Sequence, residues 1–78
     1  MDKIKKFLLK LTQKERTVLR AVLEDVFVLD LADYDVKPLK GHKGVFRLRK
    51  GDIRIIFFKQ KHTGIVIDID YRKDIYKN

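Results

Sequence analysis

Arg47, Arg49 and Arg54 are the side chains of this sequence best placed to do chemistry, because each lies where charged and apolar residues alternate. Val45-Phe46-Arg47-Leu48-Arg49 and Ile53-Arg54-Ile55-Ile56-Phe57-Phe58 carry the period of two that marks β-strands, and Lys50-Gly51-Asp52 between them supplies a turn. A two-residue turn at Gly51-Asp52 sets Leu48 opposite Ile55 and Phe46 opposite Phe57, so the large apolar groups share one face. A three-residue turn would set Leu48 opposite Arg54 and mix charge with apolar surface on both faces, so burial selects the shorter turn. The three guanidiniums then share the other face, with Arg49 directly across from Arg54. That like-charge pair is destabilising unless something anionic lies between its members. Guanidiniums donate to phosphate in pairs and can stabilise the added charge of a pentacovalent phosphorane. Metal-free RNA cleavage needs that, plus help in moving a proton from the 2′-hydroxyl. A surface ladder relieved by carboxylates accounts for the same arginines without any function.

Other chemistries find less support. His42 and His62 stand alone in different loops, each better read as a solvated histidine than as a ligand, and no metal-ligand spacing occurs around them. Asp68 and Asp70 fall on one face of a strand, as a metal-dependent nuclease would need, but a salt bridge to Arg54 is the simpler use. No metal and no cofactor is therefore expected. The chain has no cysteine, which removes disulfides and thiolate sites, and no serine, which removes a Ser/His/Asp triad. Phosphate-binding loops of the GxxxxGK[ST] or GxGxxG form are absent.

The elements that must position the arginines can be read along the 78 residues, taken as one domain spanning 1–78. Ile4, Phe7, Leu8 and Leu11 form the apolar stripe of a short first helix. Thr12-Gln13-Lys14-Glu15 has the form of a capping box, and Val18, Leu19, Val22, Leu23 and Val26, with Phe27 alongside, continue as a second helix. An antiparallel helix pair over 2–29 is the expectation. From Leu29 to Leu39 the periodicity fails among Asp30, Asp33, Asp35 and Pro38, which predicts a surface loop extended by Lys40-Gly41-His42-Lys43-Gly44. After the hairpin, a turn around Lys61-His62-Thr63-Gly64 leads to a third strand, with Ile65, Ile67 and Ile69 on the buried face and Asp68 and Asp70 on the arginine face. The predicted fold is α+β: an N-terminal antiparallel helix pair packed on a C-terminal antiparallel meander of about three strands.

Charge divides unevenly along this frame. Residues 1–36 hold seven Lys/Arg and seven Asp/Glu, so the formal net charge of +8 resides entirely in residues 37–78. Such an asymmetry favours an anionic partner, nucleic acid ahead of membrane, although with 38% charged residues a solvated basic surface has the same composition. No apolar run approaches the ~18 residues of a membrane span and no secretory h-region opens the chain, so a cytoplasmic protein with no membrane partner is expected.

The segments Lys37-Pro38-Leu39-Lys40-Gly41, Val45 to Phe57, and Asp70-Tyr71-Arg72-Lys73-Asp74-Ile75-Tyr76 together resemble the RelE/ParE toxin superfamily of bacterial and archaeal type II toxin–antitoxin systems. The resemblance covers nearly the whole chain and rests on an "LKG" followed by aromatic-R-L-R-x-G-D-x-R-I-I-F and then "RKDIY". It implies a small basic protein with helices packed on an antiparallel sheet, and a cognate antitoxin as partner. It also implies a RelE-like mRNA interferase, a metal-independent endoribonuclease that cleaves mRNA on the ribosome and inhibits translation. ParE-like members inhibit DNA gyrase instead, and a catalytically degenerate binding protein is the third alternative. By the resemblance, Arg47 and Arg49 match two basic catalytic residues of the first hairpin strand, Arg54 the arginine that stabilises the transition state, and Tyr76 the tyrosine that stacks on a base or assists proton transfer. Lys40, His42, Lys43, Arg72 and Lys73 are the expected RNA-binding residues around them. Three departures stand out. Arginines occupy positions where RelE-type ribonucleases often have lysine, and Asp70 stands six residues before the tyrosine, where the best-known of them has an arginine. The strand that usually precedes the first helix is also missing from the pattern, which would leave a sheet edge open to a partner strand.

Overall fold

The computed structural model describes residues 3–71, without the side chains of Lys3, Ile4, Phe7 and Tyr71, which lie outside the described residues along with 72–78. Helix α1 spans Lys3–Leu9 and helix α2 spans Gln13–Phe27. Thr12 caps α2 as its spacing predicts: its hydroxyl accepts from the Glu15 amide at 3.1 Å, and Glu15 Oε1 accepts from the Thr12 amide at 2.9 Å. At the other end Leu29 takes the left-handed conformation (φ 60°), and the Asp30 amide reaches back to the Asp25 carbonyl at 2.8 Å, closing the helix with a Schellman-type turn.

Four strands follow: β1 Asp35–Pro38, β2 Val45–Lys50, β3 Ile53–Gln60 and β4 Thr63–Tyr71, in the antiparallel order β1-β2-β3-β4. The expected three-stranded meander is thus a four-stranded sheet. Its extra strand, β1, comes from the segment read as loop, because Asp35-Val36-Lys37-Pro38 pairs with Arg49-Leu48-Arg47-Phe46. Pro38 is tolerated there as the last residue of an edge strand, where no further ladder bond is required of it. The helix pair is also corrected. The first helix is two turns long, and among the described residues α1 and α2 each pack against β4 rather than forming a close antiparallel pair.

The β2–β3 register is the one burial selected, with Leu48 opposite Ile55, Phe46 opposite Phe57 and Arg49 opposite Arg54. Gly51 opens the two-residue turn at φ +57°, a conformation glycine adopts without a Cβ penalty. Leu19, Val22 and Val26 of α2 close over Leu48, Ile53, Ile55, Phe57 and Ile69 to form the core. Val18, expected within the apolar stripe of this helix, and Phe27, expected alongside it, are exposed instead, because they lie at the margins of the face α2 turns to the sheet.

β4 departs from simple alternation. Its pairing runs from Ile55↔Ile69 and Ile56↔Asp68 to Phe57↔Val66 and Phe58↔Ile65, so Ile67 is the extra residue of a β-bulge. The bulge reverses the parity of the first half of the strand. Val66 therefore turns towards the core, while Ile65 and Ile67, expected to be buried, are 45% and 53% exposed. Where β4 begins, the Thr63 hydroxyl donates to the Phe27 carbonyl at 2.8 Å, and Gly64 lies so close under α2 that a Cβ on it would stand 2.4 Å from the Val26 carbonyl oxygen.

Candidate nucleic-acid interface

With α2 covering one face of the sheet, the other face is assembled from the alternate residues of all four strands. The pairings arrange it in rows. Asp35, Arg49, Arg54 and Asp70 form one row from β1 to β4; Lys37, Arg47, Ile56 and Asp68 form the next; Val45, Phe58 and Ile65 form a third, apolar row. The like-charge contact between Arg49 and Arg54 is thus flanked by a carboxylate on each side, which offsets the repulsion expected of the pair in isolation.

Arg47 is placed differently. Its neighbours across the strands are Lys37 and Ile56, and its nearest carboxylate is the diagonal Asp35, whose Oδ2 lies 3.9 Å from Nη2. The side chain is only 15% exposed against 51% for Asp35, and its Nη1 is covered without a hydrogen-bond partner among the described residues. Arg54 Nε is in the same condition. A donor withheld from water and left without an acceptor costs about 1–3 kcal/mol, and more when charged, so both guanidiniums are incompletely satisfied by the described residues.

The basic loop lies at the far end of the sheet. Lys40, His42 and Lys43 are exposed between β1 and β2, where Gly41 and Gly44 take φ +83° and +80°. The loop is fixed by the Val45 amide donating to the His42 carbonyl at 3.1 Å and the Lys59 amide donating to the Gly44 carbonyl at 2.8 Å. Four residues of β2 separate it from the Arg49–Arg54 row, roughly 13 Å of strand, so the structure brings the three arginines together and sets the loop cations apart from them. Tyr76, Arg72 and Lys73 lie outside the described residues.

Three contributors to this face escape sequence reading. Asp35 and Lys37 join it only because β1 exists, and the polar-apolar-polar alternation of Asp35-Val36-Lys37 is the faint signal that could have found them. Phe58 is hidden in the unbroken apolar run Ile55-Ile56-Phe57-Phe58, where alternation cannot be seen; it lies on the open face and is 37% exposed.

Tyr34, by contrast, belongs to the scaffold. It donates its hydroxyl hydrogen to Asp25 Oδ2, and Lys50 Nζ stands 5.6 Å from the ring centroid. The bond to Asp25, burial, and the charges of Asp25, Asp33 and Asp30 push its pKa up to about 12, out of the range useful for proton transfer near neutrality. Among the described residues no three of His, Cys, Asp and Glu gather into a cluster that could hold a metal ion, and no helix is long and apolar enough to cross a membrane.

An α+β fold with helices on one sheet face and a row of arginines on the open face is the class these elements define. The crystal structure of the RelB–RelE antitoxin–toxin complex from Methanococcus jannaschii contains a chain of similar fold: the TM-score is 0.67, with 24% sequence identity over 92% of this chain and 87% of that one. No protein-family model and no curated protein matches the sequence.

Proposed function

We propose that this protein is the toxin of a type II toxin–antitoxin system, a RelE-like endoribonuclease that acts on mRNA at the ribosome in the cytoplasm. The observation that carries the reading is the set of Arg47, Arg49 and Arg54 on one open sheet face. The similarity in fold to a chain of an antitoxin–toxin complex supports the same system. In the reaction, a ribose 2′-oxygen attacks the adjacent phosphorus, the bond to the 5′-oxygen breaks, and a cyclic phosphate and, once the 5′-oxygen takes a proton from water, a 5′-hydroxyl result. Arg47 and Arg54 hold the phosphate and the added charge of the phosphorane, and Arg49 adds to the field. Guanidinium pKa values above ~12 make these side chains poor bases, so they bind and stabilise while the 2′-proton leaves to another acceptor. Tyr76 would position a base, with Arg72 and Lys73 on the flanking RNA.

The neutralising partner is an antitoxin of opposite charge. β4 is an edge strand, and Phe27, Val28 and Ile67 are exposed along it and at the end of α2, which suits a protein partner adding a strand or helix there.

A binding-only reading is favoured by one observation: Asp70 is paired in register with Arg54, placing a carboxylate where a phosphate would approach. Toeprinting of a translated mRNA separates the two readings. Cleavage ends within A-site codons that appear with the native protein and vanish with Arg54→Ala support the nuclease. Intact mRNA with unimpaired translation removes it and leaves the binding protein or a gyrase inhibitor.

A further inference from the structure

Phe58 is the one aromatic side chain on the open sheet face among the described residues, and the fold does not need it for its core. Phe57, its neighbour, is fully buried and stacks on Phe46 with ring centroids 5.8 Å apart, whereas Phe58 stands on the opposite face between Val45 and Ile65. Its ring rests against the basic loop. A Cβ on Gly44 would lie 2.9 Å from Phe58 Cε1, so a glycine at φ +80° is what lets the ring and the loop backbone meet. The contact is tied down by the Lys59 amide, which donates to the Gly44 carbonyl one residue from the ring.

The surroundings are cationic on two sides. Arg47, opposite Ile56, is the diagonal neighbour of Phe58 across β2 and β3, about 7–8 Å away by strand geometry, and Lys43 precedes Gly44 in the loop. A half-exposed aromatic ring flanked by cations matches a single-stranded nucleic acid, which offers a flat base to the ring and a phosphate to each side. A purely apolar protein segment would cover the Arg47 guanidinium while adding no acceptor to its long 3.9 Å contact with Asp35.

We propose that Phe58 is a stacking platform for one base of a single-stranded RNA, with a phosphate of that nucleotide on Arg47 and the next phosphate near Lys43. The proposal rests on the nucleic-acid reading of the arginine face and adds to it the site that holds a base. It also explains why the loop cations, set apart from Arg49 and Arg54, belong to the same surface: the strand of RNA runs from one to the other over Phe58.

The test is fluorescence anisotropy with the full chain, using a short labelled RNA and an oligonucleotide of equal length and charge made of abasic residues. The native protein is expected to bind the base-bearing RNA about tenfold more tightly. Phe58→Leu erases that preference while leaving the salt dependence unchanged, Phe58→Trp retains it, and Arg47→Gln weakens both oligonucleotides and lowers the salt slope by about 1. Thermal unfolding of Phe58→Leu identifies any general loss of structure, and the preference of the native protein does not depend on a variant. Equal affinity of the native protein for the two oligonucleotides, or a preference that survives Phe58→Leu, overturns the stacking role and leaves the arginine site standing. No binding of either removes the nucleic-acid reading and the stacking role together. A preference unchanged by Phe58→Leu, joined to weaker binding of a protein partner, assigns the ring to that partner and overturns the proposal.

Discussion

Arg49 and Arg54 face each other across β2 and β3, and each has a carboxylate at its back: Asp35 opposite Arg49, Asp70 opposite Arg54. A row of two positive charges closed at both ends by negative ones is nearly neutral as a unit. The surplus positive charge of the face therefore lies one row along, where Lys37 and Arg47 are set against the single carboxylate of Asp68 and Asp35 approaches Arg47 diagonally at 3.9 Å.

Asp35→Asn consequently affects two arginines at once. It is expected to strengthen binding of a short RNA while costing at most about 0.5–1 kcal/mol of stability, since its own pair with Arg47 is long and half-exposed. Anisotropy titrations at several salt concentrations, beside urea unfolding, measure both quantities; weaker binding in the variant would contradict this distribution of charge.

Gly64 is predicted to be the least replaceable glycine. In Gly64→Ala the new methyl meets backbone, the Val26 carbonyl at 2.4 Å, and helix and strand must separate, with an expected loss of about 1–3 kcal/mol. Gly41→Ala meets nothing within 4 Å and is strained only through its φ of +83°, about 1–2 kcal/mol. Urea denaturation should rank the first below the second in stability.

Thr12→Ala removes the hydroxyl that accepts from the Glu15 amide and should cost about 1 kcal/mol. Because Glu15 returns the bond to the Thr12 amide, Glu15→Ala should cost less, and the double variant less than the sum of the two, in a thermal-melt cycle.

Tyr34 sets a limit at high pH. Its pKa in the folded protein is raised from 10.0 to about 12, so the folded state holds the phenolic proton that the unfolded state has given up. The stability it contributes is complete below pH 10 and is lost as pH rises through about 12. Phenolate absorbance should show one of the three tyrosines titrating late, and Tyr34→Phe should remove that phase and flatten the fall in stability over the same window.

The parts of this structure legible in the sequence are those governed by local chemistry. The capping box is visible in four residues, and the β2–β3 register follows because only one turn length buries Leu48, Ile55 and Phe57 together. β1 was not legible: four residues, one of them proline, have little strand preference of their own and become a strand by pairing with β2. Nor was the outward turn of Ile65, because it depends on a bulge two residues away. At the site, the shared face of the three arginines could be derived, whereas the carboxylate of Asp35 on β1 and the exposure of Phe58 required the assembled sheet.

The alternation of a strand behaves like a reading frame, and Ile67 is an inserted letter. Upstream of it, Ile65 and Val66 are read in one frame; downstream, Asp68, Ile69 and Asp70 are read in the other. Deleting Ile67 would join the two frames without changing a single partner, since Val66 would still meet Phe57 and Asp68 would still meet Ile56. Deleting Val66 or Asp68 has no such escape, because either loss moves the remaining letters to the wrong side of the sheet or forces Ile67 into their place. The inserted residue is thus a point where this chain can change length while every side chain keeps its meaning, and a place where variants of different length can share one core.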